Sequence, residues 1–152
     1  MADQKPTRTA VEERGTLQAL LQYCRDSFVR KLDGIDDTDA TRRLLPSDTT
    51  LLWLTQHLAH AEDLWVVRRF AGEAGHHTTA DTLVGAVDVY RATWARTDAI
   101  VAASSLDAMC RAIDVEPNVN LRWVVTHLVE ETARHAGHAD IVRELLDGAT
   151  GR

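Results

Sequence analysis

Apolar residues recur every three or four positions through four segments of the chain. From about Val11 to Leu32, the residues Leu17, Leu20, Leu21, Cys24, Phe28 and Leu32 fall on one helix face. Asp33-Gly34 stops that segment, with Gly34 suited to a left-handed cap. A loop rich in Asp and Thr runs from Ile35 to Pro46, after which Ser47, Asp48 or Thr49 is placed to cap a second helix. Leu51, Leu54, Leu58, Ala61 and Trp65 line one face of that helix, which ends near Gly72. Residues 72–80 hold two glycines and the His76-His77 pair and read as a loop. A third helix is predicted from about Asp81 to Ala103, with Leu83, Val87, Tyr90, Trp94, Thr97 and Val101 at alternating spacings of four and three. Residues 104–118 are irregular, with Pro117 near their end. Asn118 or Asn120 then caps a fourth helix reaching about Asp147-Gly148, whose inward face is Leu121, Val125, Leu128, Thr132, Ala139, Val142 and Leu146.

Four amphipathic helices without period-2 segments or internal repeats predict an all-α four-helix bundle. The connections, about 10 to 15 residues each, are long for antiparallel neighbours. At least one is therefore expected to cross over the bundle end.

Composition narrows the function classes. The chain has 152 residues, of which 45% are hydrophobic, so residues 1–152 are expected to form one domain around a single core. Residues 1–9 are polar, contain Pro6 and read as a frayed tail. The net charge of −6 argues against nucleic acid as a partner, which needs a basic face. No apolar run approaches the roughly 20 residues of a membrane span. The start, Met1-Ala-Asp-Gln-Lys-Pro6, is not a secretory signal, so a cytoplasmic protein is expected. Cys24 and Cys110 form no CxxC pair and read as reduced thiols, with Cys24 on the apolar face of the first helix and therefore core.

The chemistry lies in the histidines. His57 and His60 fall in the second helix; His127, His135 and His138 fall in the fourth, with Glu131 among them. At about 100° per residue, with His127 at zero, Glu131 lies near 40°, His135 near 80° and His138 near 20°. These four share one stripe flanking the apolar face. Groups at i and i+4 lie about 6 Å apart along the axis and can share one ion, whereas groups at i and i+8 cannot. Glu131 with His135 is the pair chosen, with His57 as a third ligand from the facing helix; His135 with His138 is the alternative pair. Two imidazoles and a carboxylate suit zinc-like ions and leave a coordination position open for chemistry. The order of residues from His127 to His135 contains no HExxH, so a zincin-type protease is not supported.

The stretch Leu121 to Glu144, and above all Glu131-Thr-Ala-Arg-His135-Ala-Gly-His138-Ala-Asp140, resembles the last helix of the DinB-like superfamily, in its actinobacterial mini-circle branch. Thr50 to Trp65 is similar to that branch's second helix, and Glu12 to Leu45 to its first helix and loop. The resemblance implies a four-helix bundle, a homodimer, and a metal site of one histidine from the second helix with a histidine or glutamate four residues before a final histidine. Carried over by motif, these are His57, Glu131 and His135. Glutamate rather than histidine at 131 is similar to the mycothiol-dependent maleylpyruvate isomerase pattern. The resemblance further implies a transferase or isomerase using a low-molecular-weight thiol such as mycothiol on a small electrophile. The implied cofactor is a divalent metal, zinc first, with nickel, manganese or iron as alternatives. Metal binding deprotonates a thiol whose free pKa is about 8.5, and the thiolate is the nucleophile.

The remaining candidates divide less sharply. His60 is an alternative ligand or a hydrogen-bond partner of the site, or else it faces the surface. His127 is expected to make structural hydrogen bonds, and His76 and His77 to be solvated. Trp53, Trp65, Trp94 and Trp123 are read as core, with a pocket mouth or dimer face as the alternative for Trp53 and Trp123. Arg122 and Arg134 are surface ion-pair residues or a hold for a carboxylate-bearing substrate. A non-catalytic dimeric binding or stress protein, and a plain helical interaction module, are the competing functions.

Overall fold

The computed structural model describes residues 5–6, 12–76, 78–112 and 118–150. The tail expected at 1–9 falls mostly outside them, as do His77 and Pro117. The regular elements among the described residues are helices, in the order α1 (Glu13–Arg30), a single turn α2 (Asp37–Ala40), α3 (Leu51–Glu62), α4 (Leu83–Ala103) and α5 (Leu121–Asp147). α3 continues without a break as a π-helical segment, Asp63–Phe70. The four long rods form the all-α bundle that the sequence pattern predicts.

Each rod starts where a side chain takes up free backbone N–H groups. Glu12 accepts from Arg14 N and Gly15 N, at 3.1 and 2.8 Å. Thr50, not Ser47, Asp48 or Thr49, accepts from Trp53 N. Thr82 accepts from Gly85 N, and Asn120 from Trp123 N. α5 ends on Gly148 at φ 75°, a conformation that costs a residue with a Cβ. α1 ends at Arg30, short of the expected Leu32, because Lys31 to Gly34 tighten into turns.

Side-chain pairs fix the directions of the rods. Glu13 of α1 meets Arg122 near the start of α5, and Lys31 meets Asp140 near its end, so α1 and α5 run parallel. Trp53 neighbours His135 and Trp65 neighbours Trp123, so α3 runs antiparallel to α5. The Arg14 guanidinium bonds Val101 O and Ser104 O at the far end of α4, and Phe28 meets Tyr90, so α4 opposes α1. α3 and α4 therefore point the same way. The described residues 71–76 and 78–82 belong to the connection that returns along the bundle between them, the crossing connection that the loop lengths imply. It is pinned at several points. Arg96 bonds Glu73, Ala74 O and His76; the Asp63 carboxylate accepts from His76 N; Gln56 donates to Ala80 O. Gly75 passes so close that a Cβ would lie 2.4 Å from Asp63 Oδ2.

The core has two apolar halves. One holds Phe28, Leu54, Leu58, Tyr90, Ala139 and Val142; the other holds Leu21, Val66, Val101, Leu121, Val125 and Leu128. A polar layer separates them, with one buried residue from each rod: Arg25, Glu62, Thr97 and Thr132. Arg25 grips Glu62 through two bonds, Nε–Oε1 at 2.8 Å and Nη2–Oε2 at 2.5 Å, and reaches Asp98 at 2.9 Å. Burial drives the Glu62 carboxyl upward, against the pull of the guanidinium.

Three sequence expectations are corrected. Cys24 is half-buried, not core, because α1 turns Leu21, Arg25 and Phe28 inward. Leu20 is exposed on the same account. Trp53 and Trp123 are also exposed, at 47% and 44%.

Candidate metal centre

His57 projects from the middle of α3 toward α5, where Glu131 and His135 lie one turn apart. The antiparallel crossing brings all three to one level. His57 Nε2 is 2.8 Å from Glu131 Oε1, and His135 Nε2 is 3.1 Å from the same oxygen. One ligand atom from each of the three lies within 4.8 Å of the other two. Atoms bound to one tetrahedral ion at about 2 Å stand about 3.3 Å from each other. The observed spacings are close to that, so the donor set fits a divalent ion of the zinc class.

The site is sheltered but reachable. The side chains of Glu131 and His135 are 13% and 11% exposed, that of His57 29%. The Trp53 indole stacks on the His57 ring, with centroids 4.9 Å apart and planes 13° apart, and its edge faces His135 at 6.4 Å. The i, i+4 spacing of Trp53 and His57 is the sequence signal for that stack, obscured by the default that tryptophan is core.

The local field favours a ready ligand set. Burial, the largest influence on His135, holds its imidazole below the usual range and outweighs the opposing Glu131 carboxylate. It is therefore neutral near pH 7, as a ligand must be. Burial pushes the Glu131 carboxyl upward, but hydrogen bonds and charge from His57 and His135 pull it further down, and the net direction is down.

The other candidates are placed apart. His138 meets His135 from the opposite ring edge, Nδ1 to Nδ1 at 3.2 Å. His127 sits one turn before Glu131, stacked on Trp123 at 5.0 Å and edge-on to Trp65 at 4.9 Å. Burial lowers its pKa as well. His60 lines a cleft of about 490 Å³ with Asp63, Arg68 and Glu73, away from the three converging groups. His76 is exposed, yet it is bonded to Arg96 and Asp63 rather than simply solvated. Arg122 is committed to Glu13 and Asp107. Arg134 pairs with Glu130 and comes within 3.7 Å of Glu131 Oε2.

Among the described residues, no helix is long and apolar enough to cross a membrane. A family model for mycothiol-S-transferases matches residues 16–148. A crystal structure of the conserved protein of a locus from Enterococcus faecalis aligns with a TM-score of 0.72 at 18% identity, covering 92% of this chain and 100% of that one. That likeness carries the fold alone. No curated protein matches the sequence.

Proposed function

The chain belongs to the mycothiol-S-transferase family, and on that premise we propose that it is a divalent-metal-dependent enzyme joining a low-molecular-weight thiol of the mycothiol kind to a small electrophile. His57, Glu131 and His135 hold the ion. The observation that carries this reading is the convergence of two imidazole nitrogens on one carboxylate oxygen at 2.8 and 3.1 Å. A divalent ion bound there supplies a positive charge that keeps a thiol in its thiolate form near neutral pH. The chain's own residues do the rest. Glu131 contributes the negative charge that makes the set selective for a cation. Burial keeps His135 uncharged and free to donate electrons through Nε2. Trp53 covers the outer face of His57 and limits the directions from which reactants approach. In the net reaction the sulfur forms a bond to an electrophilic carbon as that carbon's bond to a leaving group, or its π bond, breaks; the departing group or the atom that takes the π electrons keeps the electron pair and ends with the thiol's proton. Zinc as the resident ion, a homodimer and a cytoplasmic location belong to the same proposal.

The test combines zinc-loaded protein, mycothiol and a fluorogenic alkylating electrophile. The expected result is conjugation above the uncatalysed rate that disappears in Glu131→Ala. No rate above background with any of several small thiols rejects the transferase assignment.

A further inference from the structure

We propose that His138 is a positioning residue for this centre, accepting the Nδ1 proton of His135 and so fixing the tautomer that offers Nε2 to an ion. The inference rests on the reading of His57, Glu131 and His135 as ligands. An imidazole that gives its Nε2 lone pair to a cation must carry its remaining proton on Nδ1, and that N–H needs an acceptor. Among the described residues, the side chain within hydrogen-bonding distance of His135 Nδ1 is that of His138, at 3.2 Å. The two rings meet at 5.2 Å between centroids and 61° between planes.

The geometry also decides what His138 does not do. Glu131 and His57 lie on the Nε2 side of His135, and His138 lies on its Nδ1 side. An ion among the first three is thus separated from His138 by the His135 ring. One turn of α5 sets both relations: Glu131 at i−4 faces one nitrogen and His138 at i+3 the other. His138 must itself be the Nε2–H tautomer, leaving its Nδ1 lone pair to accept. It is exposed, so replacing it leaves the core untouched.

Zinc alone serves as the probe, in competition with a chromophoric chelator, on wild type, His138→Leu and His138→Asn. Leucine removes the acceptor; asparagine carries Oδ1 where histidine carries Nδ1. The expected loss in zinc affinity for His138→Leu is about 10- to 100-fold, the usual effect of deleting such a partner. His138→Asn recovers most of it. In nitrogen-resolved NMR of the zinc-loaded protein, the His135 Nδ1 proton is protected from exchange in wild type and His138→Asn and lost to exchange in His138→Leu. The melting temperature of the zinc-free proteins checks that folding is unchanged. Equal zinc affinity in His138→Leu, or asparagine as weak as leucine, overturns the proposal while leaving the ligand set standing. Failure of the wild type to bind zinc overturns the ligand set and this inference together.

Discussion

Glu131 Oε1 and His57 Nε2 stand 2.8 Å apart although 74 residues separate them in the chain. The contact exists because α3 runs antiparallel to α5 and because each rod is started by a side-chain cap, Thr50 on one and Asn120 on the other. Shifting either helix by one residue would rotate its group by about 100° and break the pairing. Helix register is therefore the structural quantity on which the chemistry depends.

The histidines make the ion-free protein sensitive to acid. Burial holds His135 and His127 below the ordinary histidine value. The unfolded chain, with imidazole pKa about 6.5, then binds more protons than the folded one as pH falls below that value. Their contribution to stability is full above about pH 6.5 and declines on acidification. Glu131, depressed in the folded state, adds a second loss at lower pH, below the ordinary carboxylate range. Chelator-treated protein should show a falling melting temperature from pH 7.5 to 5, and a His127→Gln/His135→Gln variant a flatter profile. A wild-type melting temperature that rises over the same interval contradicts this account.

The polar layer predicts a marked non-additivity. Arg25 and Glu62 are both 1% exposed and share two hydrogen bonds. Removing Arg25 leaves the Glu62 carboxylate buried without its counterion, at a cost of about 3–5 kcal/mol, whereas removing Glu62 leaves Arg25 its bond to Asp98. Arg25→Met alone should lower urea stability by about that amount, Glu62→Leu by less, and the double variant by less than the sum of the two. Strictly additive losses would show that the two side chains are not coupled.

Trp53 should report on the centre. Its indole is stacked on His57 and edge-on to His135, so an ion at those imidazoles changes its electronic surroundings. Zinc addition is expected to change tryptophan emission in wild type. Most of that change should vanish in Trp53→Phe, which still binds zinc. An undiminished change in the variant would assign the signal to Trp65, Trp94 or Trp123 instead.

The sequence pattern carries these features unequally. The stripe of Glu131, His135 and His138 is legible because a helix maps spacing directly onto angle. The rods themselves are legible from the apolar period, and Asn120 from its chemistry as a cap. That His57 would meet Glu131 depends on how two rods cross, which periodicity within either rod does not encode; His57 is chosen as a histidine of another helix, and the family resemblance agrees with that choice. The π-helical turn Asp63–Phe70 is hidden because Leu64 to Phe70 fits an α-helical face almost as well. The exposed indoles of Trp53 and Trp123 depart from the core default for large apolar side chains, with the pocket-mouth or dimer-face alternative left open for both, because here each covers a histidine ring. Arg25 was missed for the opposite reason: an arginine between Leu21 and Phe28 reads as a helix flank until Glu62 is seen beside it.

The most direct measurement is a zinc titration of the purified, chelator-stripped protein alongside His57→Ala, Glu131→Ala and His135→Ala. The account predicts tight binding of one ion per chain in the wild type and its loss in each variant, with all four proteins folded by circular dichroism. Undiminished binding in any one of the three variants, or no binding by the wild type, would contradict it.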